Sequence, residues 1–130
     1  MPRSFPALSA ATVVLTLTAC QQPVESAPQS KAPAIEALGP AVNCIPTSRI
    51  RDTDVHDDQT IDFNMLGGDT YRNTLPNRCP SLGFEERFAY RTNSSQLCSV
   101  DGITVLYSDG TRGAGCGLGE FLPVRINKRD

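Results

Sequence analysis

The chain contains 130 residues, of which 39% are hydrophobic and none is tryptophan, and its formal net charge is −2. A slightly acidic chain lacks the basic surface that nucleic acid or an anionic membrane requires, so nucleic acid is not an expected partner. The length allows one small domain whose core alone supplies little stability, so covalent cross-links are expected.

The N-terminus has the layout of a bacterial signal peptide, with Arg3 before a short apolar run over residues 5–17. That run is shorter than the ~20 residues that a membrane-spanning helix needs. The sequence LTAC that ends at Cys20 resembles a lipobox, where the chain is cut before a cysteine that receives acyl chains. Two or more acyl chains hold a protein stably on a membrane, so Cys20 is the predicted lipid anchor. Gln21, the residue after the predicted anchor, favours the outer membrane, with the protein facing the periplasm. The alternative to a lipobox is an ordinary signal peptide that is cut elsewhere, in which case Cys20 is not lipidated.

The sequence divides into four parts. Residues 1–19 are the predicted signal peptide, residues 20–42 the lipidated cysteine and a disordered tether, residues 43–124 a β-rich domain, and residues 125–130 a basic tail. The tether composition is rich in proline, alanine, serine and glutamine, and it cannot bury enough apolar surface to fold. The tail is interpreted as a solvated chain end. Without residues 1–19 the chain keeps 11 basic and 14 acidic residues, a charge of −3.

Four cysteines remain after the lipidation site: Cys44, Cys79, Cys98 and Cys116. An even number in a short exported domain predicts two disulfides. Four cysteines allow three pairings, of which Cys44–Cys116 with Cys79–Cys98 is favoured because it ties the two ends of the domain together. The spacings contain no close pair of the kind that zinc sites and thioredoxin-like enzymes use, so no cofactor is predicted.

Alternation of apolar and polar residues predicts an all-β domain of about six short strands, a small antiparallel barrel or sandwich. Residues 49–75 are predicted to form a three-stranded antiparallel meander with Ile61, Phe63 and Met65 on its core face. Further strands are predicted over residues 84–90, 103–107 and 120–124, and residues 108–119 are predicted to form a glycine-rich loop.

Ionisable side chains crowd at Asp52, Asp54 and His56, which alternation along a strand places on one face. Two carboxylates and an imidazole suit a divalent metal ion, but the glycine and the distal glutamate of calcium loops are missing. A polar strand face running into an acidic turn is the favoured interpretation. His56 is the only histidine, and no G-x-S-x-G motif accompanies it, so no catalytic site is predicted.

Tyr71, Arg72 and Tyr90 are candidate interface residues because tyrosine and arginine are common at binding hot spots. The alternative interpretation, which is favoured, makes them cross-strand partners of acidic residues.

A set of residues spread over nearly the whole predicted domain, from Cys44 to Pro123, forms a recognisable pattern. Its members are Cys44-Ile45, Ile50-Arg51, Thr53, Asp57-Asp58, Thr60-Ile61, Tyr71-Arg72-Asn73, Leu75, Cys79-Pro80, Leu82, Leu97-Cys98, Asp101, Ile103, Cys116 and Gly119. This pattern resembles a family of short, cysteine-containing exported or lipid-anchored proteins from sphingomonad-type bacteria, known as a domain of unknown function. Ser81 departs from the glycine of the family pattern. The resemblance implies export and the cysteine framework, and it implies no activity.

Residues 108–113, SDGTRG, are also loosely similar to the inhibitory loop of periplasmic lysozyme inhibitors, which are small β-barrel lipoproteins. The leading expectation is a non-enzymatic lipoprotein that binds or supports an envelope protein or a cell-wall component. One alternative is an inhibitor of a cell-wall hydrolase that inserts residues 108–115. A second is a metal-dependent enzyme that uses Asp52, Asp54 and His56.

Overall fold

The computed structural model describes Pro2, Ser4 and residues 29–128. The predicted lipidation site at Cys20 lies outside the described residues. The predicted signal peptide, apart from Pro2 and Ser4, and residues 21–28 of the predicted tether also lie outside them.

Ten strands, one short α-helix and the 3-10 helix Thr47–Arg49 form within residues 29–128, and every strand pairing is antiparallel. The bounds are β1 Ile35–Ala37, β2 Cys44–Pro46, β3 Ile50–Val55, β4 Thr60–Met65, β5 Thr70–Thr74, α1 Leu82–Glu85, β6 Phe88–Tyr90, β7 Gln96–Cys98, β8 Gly102–Leu106, β9 Arg112–Gly117 and β10 Phe121–Ile126. The all-β prediction is confirmed. Four strands were not expected from the sequence, namely β1, β2, β7 and β9.

Two sheets pack face to face around the core. The larger sheet has the order β1-β10-β5-β4-β3 and the smaller has the order β6-β8-β9, while β2 and β7 form a separate pair. Phe63 of β4 meets Phe121 of β10 and Phe88 of β6 edge to face, with ring centroids 5.4 and 6.2 Å apart. Since side chains alternate across a strand, the sheets share one inner core and their outer faces point in opposite directions.

The predicted meander over residues 49–75 is confirmed as β3, β4 and β5. Ile61, Phe63 and Met65 are buried on its inner face, as their alternation indicates. The turn between β4 and β5 uses Gly67 and Gly68 at φ values of 95° and 99°, a conformation that glycine adopts without a steric penalty. β4 is also buried on its outer face, which the sequence did not predict.

The strand predicted over residues 84–90 is instead the helix α1 followed by β6. The Gly83 N–H donates to the Asp58 carboxylate at 2.8 Å, and a Cβ at Gly83 would lie 2.9 Å from the Asp57 backbone. This close approach holds residues 82–85 in one helical turn. Glu86, at φ 53°, ends the turn.

The loop predicted over residues 108–119 is wrong for its central part, because Arg112–Gly117 forms β9 and pairs with β8. A strand built from glycine and alanine gains its backbone hydrogen bonds without the apolar side chains that mark a strand in sequence. Only the short stretch between β8 and β9 turns.

The larger sheet extends past the predicted domain limits of 43 and 124. β1 lies within the segment predicted as tether and pairs with β10, which itself continues to Ile126. Val42 also bridges to Phe121, and the Arg125 side chain contacts Glu36 at 3.1 Å. Residues 35–37 form a strand because their backbone pairs with the edge of β10 that faces away from β5.

The predicted disulfide pairing is wrong: the bonds join Cys44 to Cys98 and Cys79 to Cys116. Cys44 and Cys98 stand directly opposite each other where β2 pairs with β7, with Cα atoms 4.0 Å apart. Cys116, next to the core in β9, reaches Cys79 in the loop after β5, with Cα atoms 5.8 Å apart. The pairing therefore depends on strand contacts between distant parts of the chain.

Removing either disulfide should lower the free energy of unfolding by about 4 kcal/mol, because each closes a loop of several tens of residues in the unfolded chain. The measurement is urea unfolding of Cys44→Ala/Cys98→Ala and of Cys79→Ala/Cys116→Ala beside the wild type. Mass mapping of a non-reduced digest tests the pairing itself, and a peptide joining Cys44 to Cys116 would contradict it.

Candidate functional site

A buried ionic cluster of Asp62, Arg72 and His56 lies on the outer face of the larger sheet. Arg72 stands opposite Asp62 across β4 and β5 and donates from Nε to Oδ1 at 2.8 Å and from Nη2 to Oδ2 at 2.9 Å. The His56 Nε2 lies 2.7 Å from the same Oδ2. The Asp62 side chain is 1% exposed and that of Arg72 is 9% exposed, so the pair is shielded from water.

Residues 30–34, called the strap below, cross this outer face just before β1. Arg72 Nη1 donates to the Pro33 carbonyl at 2.8 Å. The Ser30 hydroxyl and the Lys31 N–H both donate to Asp57 Oδ2, at 2.7 and 3.1 Å. The strap therefore covers the ionic cluster and is held by it.

Asp57 anchors the first residues of the strap. Burial raises the pKa of its carboxyl, but hydrogen bonds from Ser30, Gln59, Thr60 and Lys31 outweigh burial and hold the pKa below its usual value. The charged form of Asp57 is thus the form that binds the strap.

His56 does not join Asp52 and Asp54 in one ligand set, although all three were predicted on one face. Asp52 and Asp54 both accept from Asn64 Nδ2, at 2.6 and 2.9 Å, whereas the imidazole turns to Asp62. A hydrogen bond from Arg51, aided by Asn64, lowers the pKa of the exposed Asp52. Within residues 29–128 no three His, Cys, Asp or Glu side chains converge to hold a metal ion.

The imidazole of His56 also borders a surface depression of about 380 Å³ beside the strap. A histidine paired with a buried carboxylate is one half of a hydrolytic site, and the other half is a nucleophile within hydrogen-bond reach. Ser30, the serine in the lining, donates to Asp57 rather than to the imidazole. The cluster thus holds the strap, and no hydroxyl or thiol of residues 29–128 hydrogen-bonds to the imidazole, whose partner is Asp62.

The three predicted interface residues do not form one surface. Arg72 is buried in its ion pair with Asp62, which confirms the cross-strand interpretation for this residue. Tyr71 and Tyr90 face the opposite way, toward the core, and pack partly buried against it. Both tyrosine side chains therefore pack against the core between the two sheets.

Within residues 29–128, no segment like the strap crosses the outer face of the smaller sheet. Mostly small residues line this face, with an arginine at each end and with Asp101 and the exposed Val100 at the rim, around a shallow depression of about 530 Å³. We call it the open face, and its members are Ala89, Gly102, Thr104, Gly115 and Gly117, with Arg91 and Arg112. Sequence reasoning missed this surface because it assigned the glycines to a loop.

Both arginines of the open face are exposed, and neither forms an ion pair or a side-chain hydrogen bond with any described residue. Asp101, the carboxylate at the rim, accepts the Cys98 N–H at 2.7 Å. The open face therefore presents two free cations over a nearly bare backbone.

The predicted inserting loop over residues 108–115 is shorter than expected, because residues 112–115 belong to β9. The remaining turn is braced by Asp109, whose Oδ1 accepts from the Thr111 hydroxyl and backbone N–H at 2.7 and 2.9 Å. These Thr111 hydrogen bonds lower the pKa of Asp109.

Arg72→Met should cost about 3–5 kcal/mol of unfolding free energy, because it leaves the buried Asp62 carboxylate without its cation. The double variant Asp62→Leu/Arg72→Met should recover most of that loss. Arg125→Met is the control, since its partner Glu36 is exposed, and should change stability by less than about 1 kcal/mol. Urea unfolding measures all three, and equal effects of Arg72→Met and Arg125→Met would contradict the assignment.

Asp57→Asn should lower stability by about 1 kcal/mol at pH 7, because an amide NH₂ cannot accept the strap's hydrogen bonds. The folded pKa of Asp57 lies below the unfolded value of ~3.9, so its contribution is full above that value and disappears as pH falls through the folded pKa. Urea midpoints of wild type and variant should therefore converge in acid. Asp69→Asn, at an exposed turn, is the control at both pH values, and a difference that persists in acid would contradict the role of the Asp57 charge.

Two further findings concern a possible membrane-spanning helix and the similarity of this chain to known proteins. In the part of the chain that the structure describes, no helix has the length and apolar character to cross a membrane. No protein-family model, curated protein or solved structure matches this chain.

Proposed function

We propose that this protein is a lipid-anchored binding module of the bacterial cell envelope with no catalytic role of its own. One observation carries the proposal: the N-terminal strap of the described chain is fixed to one outer face of the sandwich, and no described segment covers the other outer face. The module would hold an envelope protein or a cell-wall component away from the membrane.

The distance between anchor and domain supports this arrangement. Residues 21–28 are all that separate the predicted lipidated Cys20 from Gln29, where the described chain begins. Cys20 and Gln29 are nine residue steps apart, which span at most about 32 Å when fully extended, at 3.3–3.6 Å per residue. Because the chain enters the domain along the strap, the covered face of the larger sheet would lie toward the membrane and the open face toward the periplasm.

The cysteine framework supports an exported location. Both disulfides form between positions far apart in sequence, and such bonds persist in oxidising compartments such as the periplasm. The resemblance to exported and lipid-anchored proteins points to the same compartment.

The alternative of a cell-wall hydrolase inhibitor has one supporting feature, the exposed and braced turn between β8 and β9. Its four exposed residues are Ser108, Asp109, Gly110 and Thr111. Addition of the protein to lysozyme is the direct test. Progressive loss of lysozyme activity that Asp109→Ala abolishes would favour this alternative over the binding module.

The anchor is tested by replacing Cys20 with serine. Wild-type protein expressed in a Gram-negative host should fractionate with the outer membrane and incorporate labelled palmitate, because acyl chains attach at the cysteine. Cys20→Ser should lose the label and appear in the soluble periplasmic fraction. Asp69→Asn, at an exposed turn, is the control and should stay with the membrane, and identical fractionation of wild type and Cys20→Ser would contradict the proposal.

A further inference from the structure

We propose that the open face binds an extended acidic peptide segment of a partner protein. The inference deepens the proposed function and rests on it for the cellular setting, because an anchored module needs a ligand on its free side. The binding itself concerns β6, β8 and β9 alone.

Two glycines of the open face have no packing role among residues 29–128. A Cβ added at Gly117 would meet no atom within 4 Å, and one added at Gly115 would meet only the Ile103 carbonyl at 4.0 Å. Neither residue is among the glycines with positive φ. Glycine inside a strand lowers its stability relative to alanine, so neither packing nor backbone conformation accounts for these two residues.

Neighbouring glycines show what an internal requirement looks like. A Cβ at Gly119 would collide with the Thr74 carbonyl, and one at Gly113 would lie 2.8 Å from the Tyr107 ring. Gly119 is also pinned by Asn73, whose amide exchanges two hydrogen bonds with its backbone. Against this background, the bare backbone at Gly115 and Gly117 fits the close approach of a ligand from outside the chain.

The two arginines define the ligand's charge and shape. Arg91 follows Tyr90, the partner of Ile103, and Arg112 is the partner of Leu106. The register therefore puts Arg91 opposite Gly102, four residues or about 13 Å along β8 from Leu106. Because β8 lies between β6 and β9, the two arginines are also about 10 Å apart across the sheet, so their backbones are about 16 Å apart. In an extended peptide, acidic residues at alternate positions share one face, and those four positions apart span about 13 Å. On a peptide that crosses the three strands diagonally, carboxylates at that spacing are within reach of both long guanidinium side chains.

The flat lining favours a peptide over a sugar chain. Sugar rings pack on aromatic side chains, and none of the described residues that line the open face is aromatic. An extended backbone, in contrast, needs only a shallow and smooth surface, which Ala89, Thr104 and Gly115 provide across the three strands.

The test uses the exported chain with Cys20→Ser, so that binding is measured in solution and independently of the anchor. The probe is a short blocked peptide in which glutamate alternates with alanine; the comparison peptide carries lysine in place of glutamate. In an NMR titration, the glutamate peptide should shift the backbone amides of Gly115, Gly117 and Thr104, and the shifts should weaken with added salt. The lysine peptide should produce no shifts there.

Variants separate the two elements of the site. Arg91→Gln/Arg112→Gln should weaken binding by about ten-fold or more, because two charge-assisted hydrogen bonds are lost. Gly117→Val should abolish binding while both disulfides and the thermal midpoint are retained, because the new side chain enters empty space. Arg125→Gln and Ala37→Val, on the larger sheet, are the matched controls and should bind like the parent.

Three results would overturn the inference. These are unchanged affinity in Gly117→Val and in the arginine double variant, equal binding of the lysine peptide, and binding of cell-wall glycan fragments in place of the acidic peptide. Concentration-dependent dimerisation that Gly117→Val abolishes, without peptide binding, would likewise assign the open face to a second copy of this chain. Loss of peptide binding with normal palmitate labelling leaves the anchor proposal intact, so the two proposals fail separately.

Discussion

The paired charges of Asp62 and Arg72 are the constraint on which the arrangement of this domain depends. A buried carboxylate is costly unless a cation and further hydrogen-bond donors surround it. Here Arg72 supplies the cation across β4 and β5, and His56 occupies the remaining side of the carboxylate. The same guanidinium binds the Pro33 carbonyl. This ion pair thereby links β4 to β5 in their observed register, and it connects them to His56 at the end of β3 and to the N-terminal strap.

That constraint makes the two outer faces of the sandwich different. The larger sheet is covered by the strap and by β1, so its outer face is occupied by the chain itself. No described segment covers the smaller sheet in this way, and its outer surface consists mostly of small side chains between two arginines that no described residue pairs with. A strap on one face and an uncovered surface on the other are compatible with the proposed role, in which the N-terminal end is anchored and the uncovered surface holds a ligand.

The meander was predictable because its evidence is local: apolar residues alternate through Ile61, Phe63 and Met65, and glycines mark the turn. Other features depend on contacts between distant segments. Asp62 and Arg72 look like solvent-facing residues until the strap covers them, and the cysteine pairing follows from the register of β2 with β7. β9 was hidden because glycine leaves no alternation of side chains to detect. The open face, which the proposed binding role requires, was missed for the same reason.

The position of the strap has a mechanical consequence. Force on the proposed lipid anchor would enter the described chain at Gln29, ahead of the first disulfide cysteine, Cys44. Tension would peel the strap and β1 from the sheet while the cross-linked body stayed intact. The 15 residues from 29 to 43 would then add about 50 Å of reach, at 3.3–3.6 Å per residue. Under the proposed function, the strap and β1 would thus act as an extensible tether, whose length can increase while the folded open face stays intact.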